Sequence, residues 1–262
     1  MGDYFQDKVV VITGGAGGLG QTLSQQLIAQ GAKVAALDLD ISMLENTDNM
    51  LPIKTDITDI STIEFALDKI VNQFGKIDIL INNAGITHMS RFVDTDEALF
   101  EKIMTVNFTG SVNITRLALP YLTETQGQII ALSSVAGFAP LYGRSAYAAS
   151  KHAMEGFFQS LASELADNDI NVLIVRPSFI KTRPELQAQV NAGESSPGAI
   201  KKSTNGEQIK PEVAASKILK AAENNQAALQ LGSVSRIAYW LNALVPGLYR
   251  KVMTKGAKKE FQ

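Results

Sequence analysis

Residues 9–23 read VVVITGGAGGLGQTL. Five β-branched residues, the side chains that suit a pleated strand, run into glycines at positions 14, 15, 17, 18 and 20, after which the composition turns helix-favouring. Strand, glycine turn and helix in this order make an anion site. Glycine has no Cβ, so the backbone can approach a pyrophosphate closely, and N–H groups at the helix N-terminus meet its charge. The glycines are dense enough for three spacings: G-x-G-x-x-G from Gly15, G-x-x-G-x-x-G from Gly14, and T-G-x-x-x-G-x-G from Thr13. The loop alone does not choose among them.

Asp38 follows 18 residues after Gly20, at the end of a second apolar run. A carboxylate there accepts hydrogen bonds from an adenosine ribose, whereas a ribose phosphate would meet like charge. Residues 13–19 contain no Arg or Lys to hold such a phosphate, so NAD is favoured over NADP.

Outward from the loop, the alternation continues. Strands are expected at residues 8–13, 33–38, 51–55, 77–82, 128–133 and 170–176, with a last one at 227–231. They are almost wholly apolar, the mark of strands covered on both faces. Helices are expected at 19–30, 61–74, 96–122 and 146–168, with Asp59 as an N-cap and Gly31 and Gly75 as left-handed stops. The pattern implies an α/β fold: a doubly wound, Rossmann-like parallel sheet with right-handed crossovers, forming a single domain over residues 1–262. Beyond Arg176 the rhythm breaks. Residues 182–206, with Pro184, Gly193 and Gly206, read as a substrate lid, and 234–262 as an amphipathic C-terminal segment.

Composition narrows the function. The chain is 45 % hydrophobic with 24 basic and 26 acidic residues, a balance that argues against nucleic acid and for a small-molecule partner. No cysteine is present, and the two histidines, His88 and His152, do not suffice for a metal site, so no metal is expected. The N-terminal MGDYFQDK lacks a secretory pattern and no apolar run spans a bilayer, so the expected location is cytoplasmic.

A second stretch, SAYAASKHAMEGF at 145–157, places Tyr147 and Lys151 four residues apart on one helical face. A phenol titrates near ~10, and a close ammonium favours its anion, which makes the pair a candidate acid–base device. A core tyrosine with a snorkelling lysine is the plainer alternative. Asn107 falls within a helical pattern, where asparagine is a poor choice unless its amide or a loosened backbone is needed.

With INNAG at 81–85, the serines at 133–134 and YAASK at 147–151, the chain resembles the short-chain dehydrogenase/reductase family in its compact form, from residue 8 to about 182. The resemblance implies that Thr13, Gly14, Gly18, Leu19 and Gly20 hold the cofactor, that Asp56 caps the adenine edge beside Ile57, and that Asn83, Ala84 and Gly85 shape the fourth strand's end. It implies catalytic roles for Asn107, Ser134, Tyr147 and Lys151. Ser134 is preferred to Ser133 because it lies 13 residues before Tyr147, and Asn107 would anchor a water that links Lys151 to solvent. Tyr147 and Lys151 also touch the cofactor, with Pro177 and Thr182 near the nicotinamide. Ser178 departs from the family's glycine after Pro177.

The implied activity is hydride transfer between NAD and a secondary alcohol or ketone. Phe138, Leu141 and Tyr142 either line a substrate pocket, for which an apolar substrate is expected, or pack as ordinary core. An NADP-linked reductase and a non-catalytic NAD-binding sensor or scaffold are the rival readings. The resemblance implies a homodimer or homotetramer joined through the long helices. The C-terminal segment, aromatic with a basic flank, either packs over a pocket or a second subunit or rests peripherally on a membrane.

Overall fold

A computed structural model describes residues 3–181 and 208–258. Seven parallel strands form one sheet in the order β3-β2-β1-β4-β5-β6-β7. They are β1 (Val9–Thr13), β2 (Lys33–Asp38), β3 (Met50–Lys54), β4 (Ile79–Asn82), β5 (Gln128–Leu132), β6 (Asn171–Pro177) and β7 (Ala228–Leu231). The order reverses between β1 and β4, which opens a crevice beyond their carboxyl ends.

Both faces of the sheet are buried, as the apolar runs require. On one face α2 (Ile60–Phe74), α4 (Ser111–Glu124) and α5 (Ser145–Glu164) bring Ile63, Ile70, Ile114, Leu122, Met154 and Phe158 against the strands. On the other, α1 (Gly18–Ile28) and α6 (Pro211–Glu223) contribute Leu23, Leu27, Ile218 and Leu219. The local signals act as expected at α2. Asp59 caps its start by accepting from the Ser61 N–H at 2.9 Å, and Gly75 ends it at φ 83°.

Three elements differ from the periodicity. The stretch 96–122 is not one helix but α3 (Glu97–Met104), a π-helical stretch Thr105–Gly110 and α4. The widened turn lets Gly110 lie against Ile57, where an added Cβ would meet the Ile57 side chain at 2.7 Å. The helix expected over 146–168 stops at Glu164 and ends in a short 3₁₀ turn, Ala166–Asn168. α6 has no counterpart in the sequence analysis; its buried face sets Ala214, Ala215, Ala221 and Ala222 around Ile218 and Leu219. The proposed lid at 182–206, and Thr182 with it, lies outside the described residues.

The C-terminal segment forms two helices, α7 (Ser233–Leu244) and α8 (Pro246–Lys258), broken where Pro246 opens the second. No described helix is long and apolar enough to cross a membrane.

Candidate active site

The glycine loop sits at the mouth of the crevice. Gly14 takes φ +65°, and an added Cβ would come within 2.9 Å of the Ala84 Cα. A Cβ on Gly15 would meet that of Ala36 at 2.7 Å, and one on Gly20 would collide with the Gly14 carbonyl oxygen. The loop is tied to the end of β4. Thr13 Oγ1 accepts from the N–H groups of Asn83 (3.1 Å) and Ala84 (3.0 Å), while Asn83 Nδ2 donates to the carbonyls of Thr13 (3.0 Å) and Gly14 (2.9 Å). Thr13, Gly14, Asn83 and Ala84 therefore move as one unit.

Gly17 stands at the N-cap of α1 and offers no side-chain oxygen, and the helix's first turn holds no acidic residue. Its N–H groups face the crevice without a side-chain cap, as an anion site needs. Asp38 closes the floor, with Oδ2 accepting from the Ala16 N–H at 2.9 Å. Burial raises its pKa above the ordinary carboxylate value, although backbone N–H bonds oppose this. Just after β3, Asp56 Oδ1 accepts from the Thr58 N–H (2.9 Å) and hydroxyl (2.7 Å), and Ile57 beside it is buried. These residues fit a dinucleotide: glycines at 14, 15 and 20 whose added Cβ would meet neighbouring backbone, a helix start without a side-chain cap and a carboxylate at the end of β2.

The proton-handling groups lie across the crevice on α5. Lys151 Nζ is 5.9 Å from the centroid of the Tyr147 ring, so the four-residue spacing does bring them to one side. The ammonium donates to the Leu132 carbonyl at 2.7 Å and touches Met154 Sδ at 3.3 Å. Burial lowers the Lys151 pKa to about 8, with the Glu155 carboxylate opposing the shift.

The Tyr147 phenol departs from expectation. Its pKa is raised, not lowered, because burial outweighs both its hydrogen bond with Ser134 and the charge of Arg144. Desolvation of the phenolate wins while the lysine ammonium is engaged by the Leu132 carbonyl. Ser134 Oγ accepts from the Ala136 N–H at 3.2 Å, which leaves its own proton for the Tyr147 oxygen. Ser133 Oγ is instead buried without a partner, turned toward Gly137.

Asn107 occupies the π-helical stretch and is fully buried. Its Oδ1 accepts from the Ile86 N–H at 2.8 Å, and Nδ2 donates to the Ile86 carbonyl (2.9 Å) and Ser150 Oγ (3.0 Å). The amide thus pins the chain after β4 to α5, and both of its ends are committed to protein groups. Gly85 lies beside it, where an added Cβ would be 3.1 Å from Asn107 Oδ1 and 3.8 Å from Lys151 Nζ. Pro177 ends β6, and the following Ser178 N–H bonds to the Leu231 carbonyl at 3.0 Å.

An apolar cavity of about 410 Å³ adjoins Ser134. Leu141 and Tyr142 line it as expected, whereas Phe138 packs edge-on against Tyr239 with ring centroids 5.4 Å apart. Much of the wall comes from α7 and α8, through Ile237, Leu241, Tyr249, Val252 and Met253, which the sequence analysis left undecided between pocket cover and other uses. Burial pushes the Tyr249 phenol up to about 12, so it faces the cavity neutral. Among the described residues, Arg144 is the single charged side chain on the wall. It donates to Thr87 Oγ1 at 2.5 Å and stands 6.0 Å from the Tyr147 ring centroid. Its position three residues before Tyr147 was the available signal. His88 is buried, while its neighbour Met89 reaches the cavity. His152 bonds the Ala148 carbonyl at 2.9 Å and is exposed.

Known proteins are similar to this chain in sequence and in fold. Residues 8–194 match the family model described as short chain dehydrogenase. Dehydrogenase/reductase SDR family member 7B of Mus musculus is 33 % identical over 270 residues, spanning 98 % of this chain and 83 % of that protein. The SDR family protein 7-like of Anopheles gambiae is 34 % identical over 273 residues, spanning 98 % and 85 %. Among solved structures, a short chain dehydrogenase from Burkholderia cenocepacia in complex with NADP superposes with a TM-score of 0.81 at 24 % identity, covering 95 % of this chain and 98 % of that one. A 3-ketoacyl-(acyl-carrier-protein) reductase from Brucella melitensis complexed with NADH gives 0.74 at 26 % identity, covering 86 % and 96 %. A nicotinamide-dinucleotide cradle facing a tyrosine–lysine pair, on a fold and sequence shared over nearly the whole chain, places this protein among the oxidoreductases of the short-chain dehydrogenase/reductase family.

Proposed function

We propose that the protein is an NAD-dependent oxidoreductase acting on an apolar secondary alcohol or the corresponding ketone. The observation that carries this reading is the Tyr147 phenol, bonded to Ser134 beside an apolar cavity of about 410 Å³. When bound, the nicotinamide accepts or supplies the hydride.

The chain's own groups handle the proton and the orientation. Tyr147 takes the alcohol proton during oxidation and returns one to the oxygen during reduction. Ser134 holds the substrate oxygen as a fixed dipole where charge develops. The raised phenol pKa suits a donor, and the cations of Lys151 and Arg144, 5.9 and 6.0 Å from the ring centroid, favour the phenolate that a base requires. Lys151, with a pKa of about 8, exchanges protons near neutral pH, and Asn107 holds the backbone around it. Apolar cavity walls exclude water and select the substrate.

NAD is favoured over NADP on the strength of Asp38, which ends β2 with its carboxylate held by the Ala16 N–H, since a ribose phosphate beside it would meet like charge. Thr182, matched only by resemblance, is proposed to reach the carboxamide. Assembly through α4 and α5 is proposed on the half-buried Phe108, Tyr121 and Phe157 at the edge of that core, and light scattering would check it.

An absorbance screen of apolar secondary alcohols and ketones with NAD and NADP tests the reading. Turnover is expected with NAD and should fall by roughly 10²–10⁴-fold in Tyr147→Phe, with cofactor binding retained. Full activity of that variant would refute the mechanism. Binding without turnover on any substrate would favour a sensor, and tighter NADPH than NADH binding would overturn the role of Asp38.

A further inference from the structure

We infer that α7 and α8 dock the protein on an anionic lipid surface, with the substrate cavity opening against it. Both helices carry exposed apolar residues on the outward side. On α7 they are Ile237, Trp240 and Leu244, at i, i+3 and i+7, and on α8 they are Leu248 and Val252, at i and i+4, with Val245 in the turn between the helices. Exposure runs from 48 % at Val245 to 72 % at Leu244, far above what single surface apolar residues explain once six fall within residues 237–252.

The inner faces of the same helices are also apolar, with Ala238, Leu241, Tyr249 and Met253 turned to the cavity. A helix apolar on two sides, one against protein and one outward, has an unmet partner on the outside. Pro246 breaks the pair, and no described helix is long enough to span a bilayer, so the segment would lie in the interfacial plane.

Charge decides between occupants. Residues 233–258 carry Arg236, Arg250, Lys251, Lys255 and Lys258 and no acidic residue, in a chain whose net charge is −2. Lys251 and Lys255, one turn apart, share a shallow cleft with Arg250 at the edge of the apolar stripe. A second copy paired about a two-fold axis would bring these cations against themselves with no carboxylate among residues 233–258 to answer them. Anionic lipid headgroups answer them directly.

Ile237 and Val252 belong both to the exposed stripes and to the cavity wall, so the cavity and the patch are continuous. An apolar alcohol or ketone dissolved in lipid would then reach Ser134 without crossing water. That last step rests on the proposed function; the docking does not.

The test is sedimentation of the full chain with vesicles of phosphatidylcholine alone and of phosphatidylcholine mixed with phosphatidylserine, at low and high salt. Binding to the anionic vesicles is expected, weakened by salt and by removing phosphatidylserine. Lys251→Gln with Lys255→Gln should weaken it by about thirtyfold, roughly fivefold for each charge. Trp240→Glu with Leu244→Glu should abolish it while leaving the circular dichroism spectrum and turnover of a water-soluble substrate unchanged. The proposal is overturned if the wild type stays in solution with anionic vesicles. It is equally overturned if the wild type is a dimer that Trp240→Glu with Leu244→Glu converts to a monomer. Pelleting needs no turnover, and turnover of a soluble substrate needs no vesicle, so failure of docking and failure of the enzymatic reading are separable.

Discussion

Arg176 Nη2 lies 2.7 Å from Glu155 Oε2, and both side chains are buried between α5 and β6. Arg176 Nε adds bonds of 2.9 and 3.1 Å to the two carboxylate oxygens, Gln159 Nε2 donates to Oε2 at 3.0 Å, and the guanidinium stacks 5.7 Å from the Tyr239 ring centroid. Glu155 follows Lys151 by one helical turn, and its charge opposes the loss of the lysine's proton. Through Tyr239 the pair joins α7 to the electrostatics of the site.

Breaking the pair from one side strands a charge. Arg176→Met is expected to cost about 3–5 kcal/mol, whereas the double variant Glu155→Leu/Arg176→Met should lose far less, since two apolar side chains replace a satisfied ion pair. Urea denaturation of both single variants and of the double variant measures the difference, and a double-variant loss equal to the sum of the two single losses would show that the fork contributes no coupling.

Lys151 makes stability depend on pH in a defined window. The unfolded lysine keeps its proton to its ordinary value of 10.5, the folded one only to about 8. Between these values unfolding takes up a proton, so stability should climb with pH across that window and be flat below it. Lys151→Met should flatten the climb and stabilise the cofactor-free protein at neutral pH by up to about 3 kcal/mol, while removing turnover. Thermal melts from pH 7 to 11 read both effects, and an unaltered slope in the variant would exclude Lys151 as its source.

Gly20→Ala would drive a methyl group into the Gly14 carbonyl, and Gly14→Ala would place one 2.9 Å from Ala84 Cα at a φ of +65°. The Gly14 change carries an additional backbone cost of roughly 1–2 kcal/mol. Both should weaken NADH binding by at least tenfold, measured by fluorescence titration, because the loop must shift to admit the new atom. Gly75→Ala is the control: its added Cβ meets nothing within 4 Å, so stability falls through φ alone and cofactor affinity stays.

Asp38→Ala removes the carboxylate but leaves the loop's glycines intact. The ratio of NADPH to NADH affinity should rise by about tenfold or more through relief of like-charge repulsion. Loss of the Ala16 bond should also soften the loop. An unchanged ratio would show that the ribose lies elsewhere.

Much of this was legible along the chain because it is written in short-range terms. Runs such as 9–13 and 128–132 are apolar at four of five positions and buried at all five, which suits a strand covered on both faces, and Asp59 and Gly75 punctuate α2 through hydrogen bonding and a left-handed φ that need no distant partner. The spacing of Tyr147 and Lys151 follows from helical periodicity, and the cradle at Thr13–Gly20 from the steric freedom of glycine. What the sequence left open depends on which elements meet. The direction of the Tyr147 shift, the pairing of Glu155 with Arg176, the π-turn at Asn107 and the cavity wall supplied by α7 and α8 all follow from desolvation and packing between segments remote in the chain. Those quantities are set by the neighbours a residue acquires on folding, and a one-dimensional pattern does not contain them.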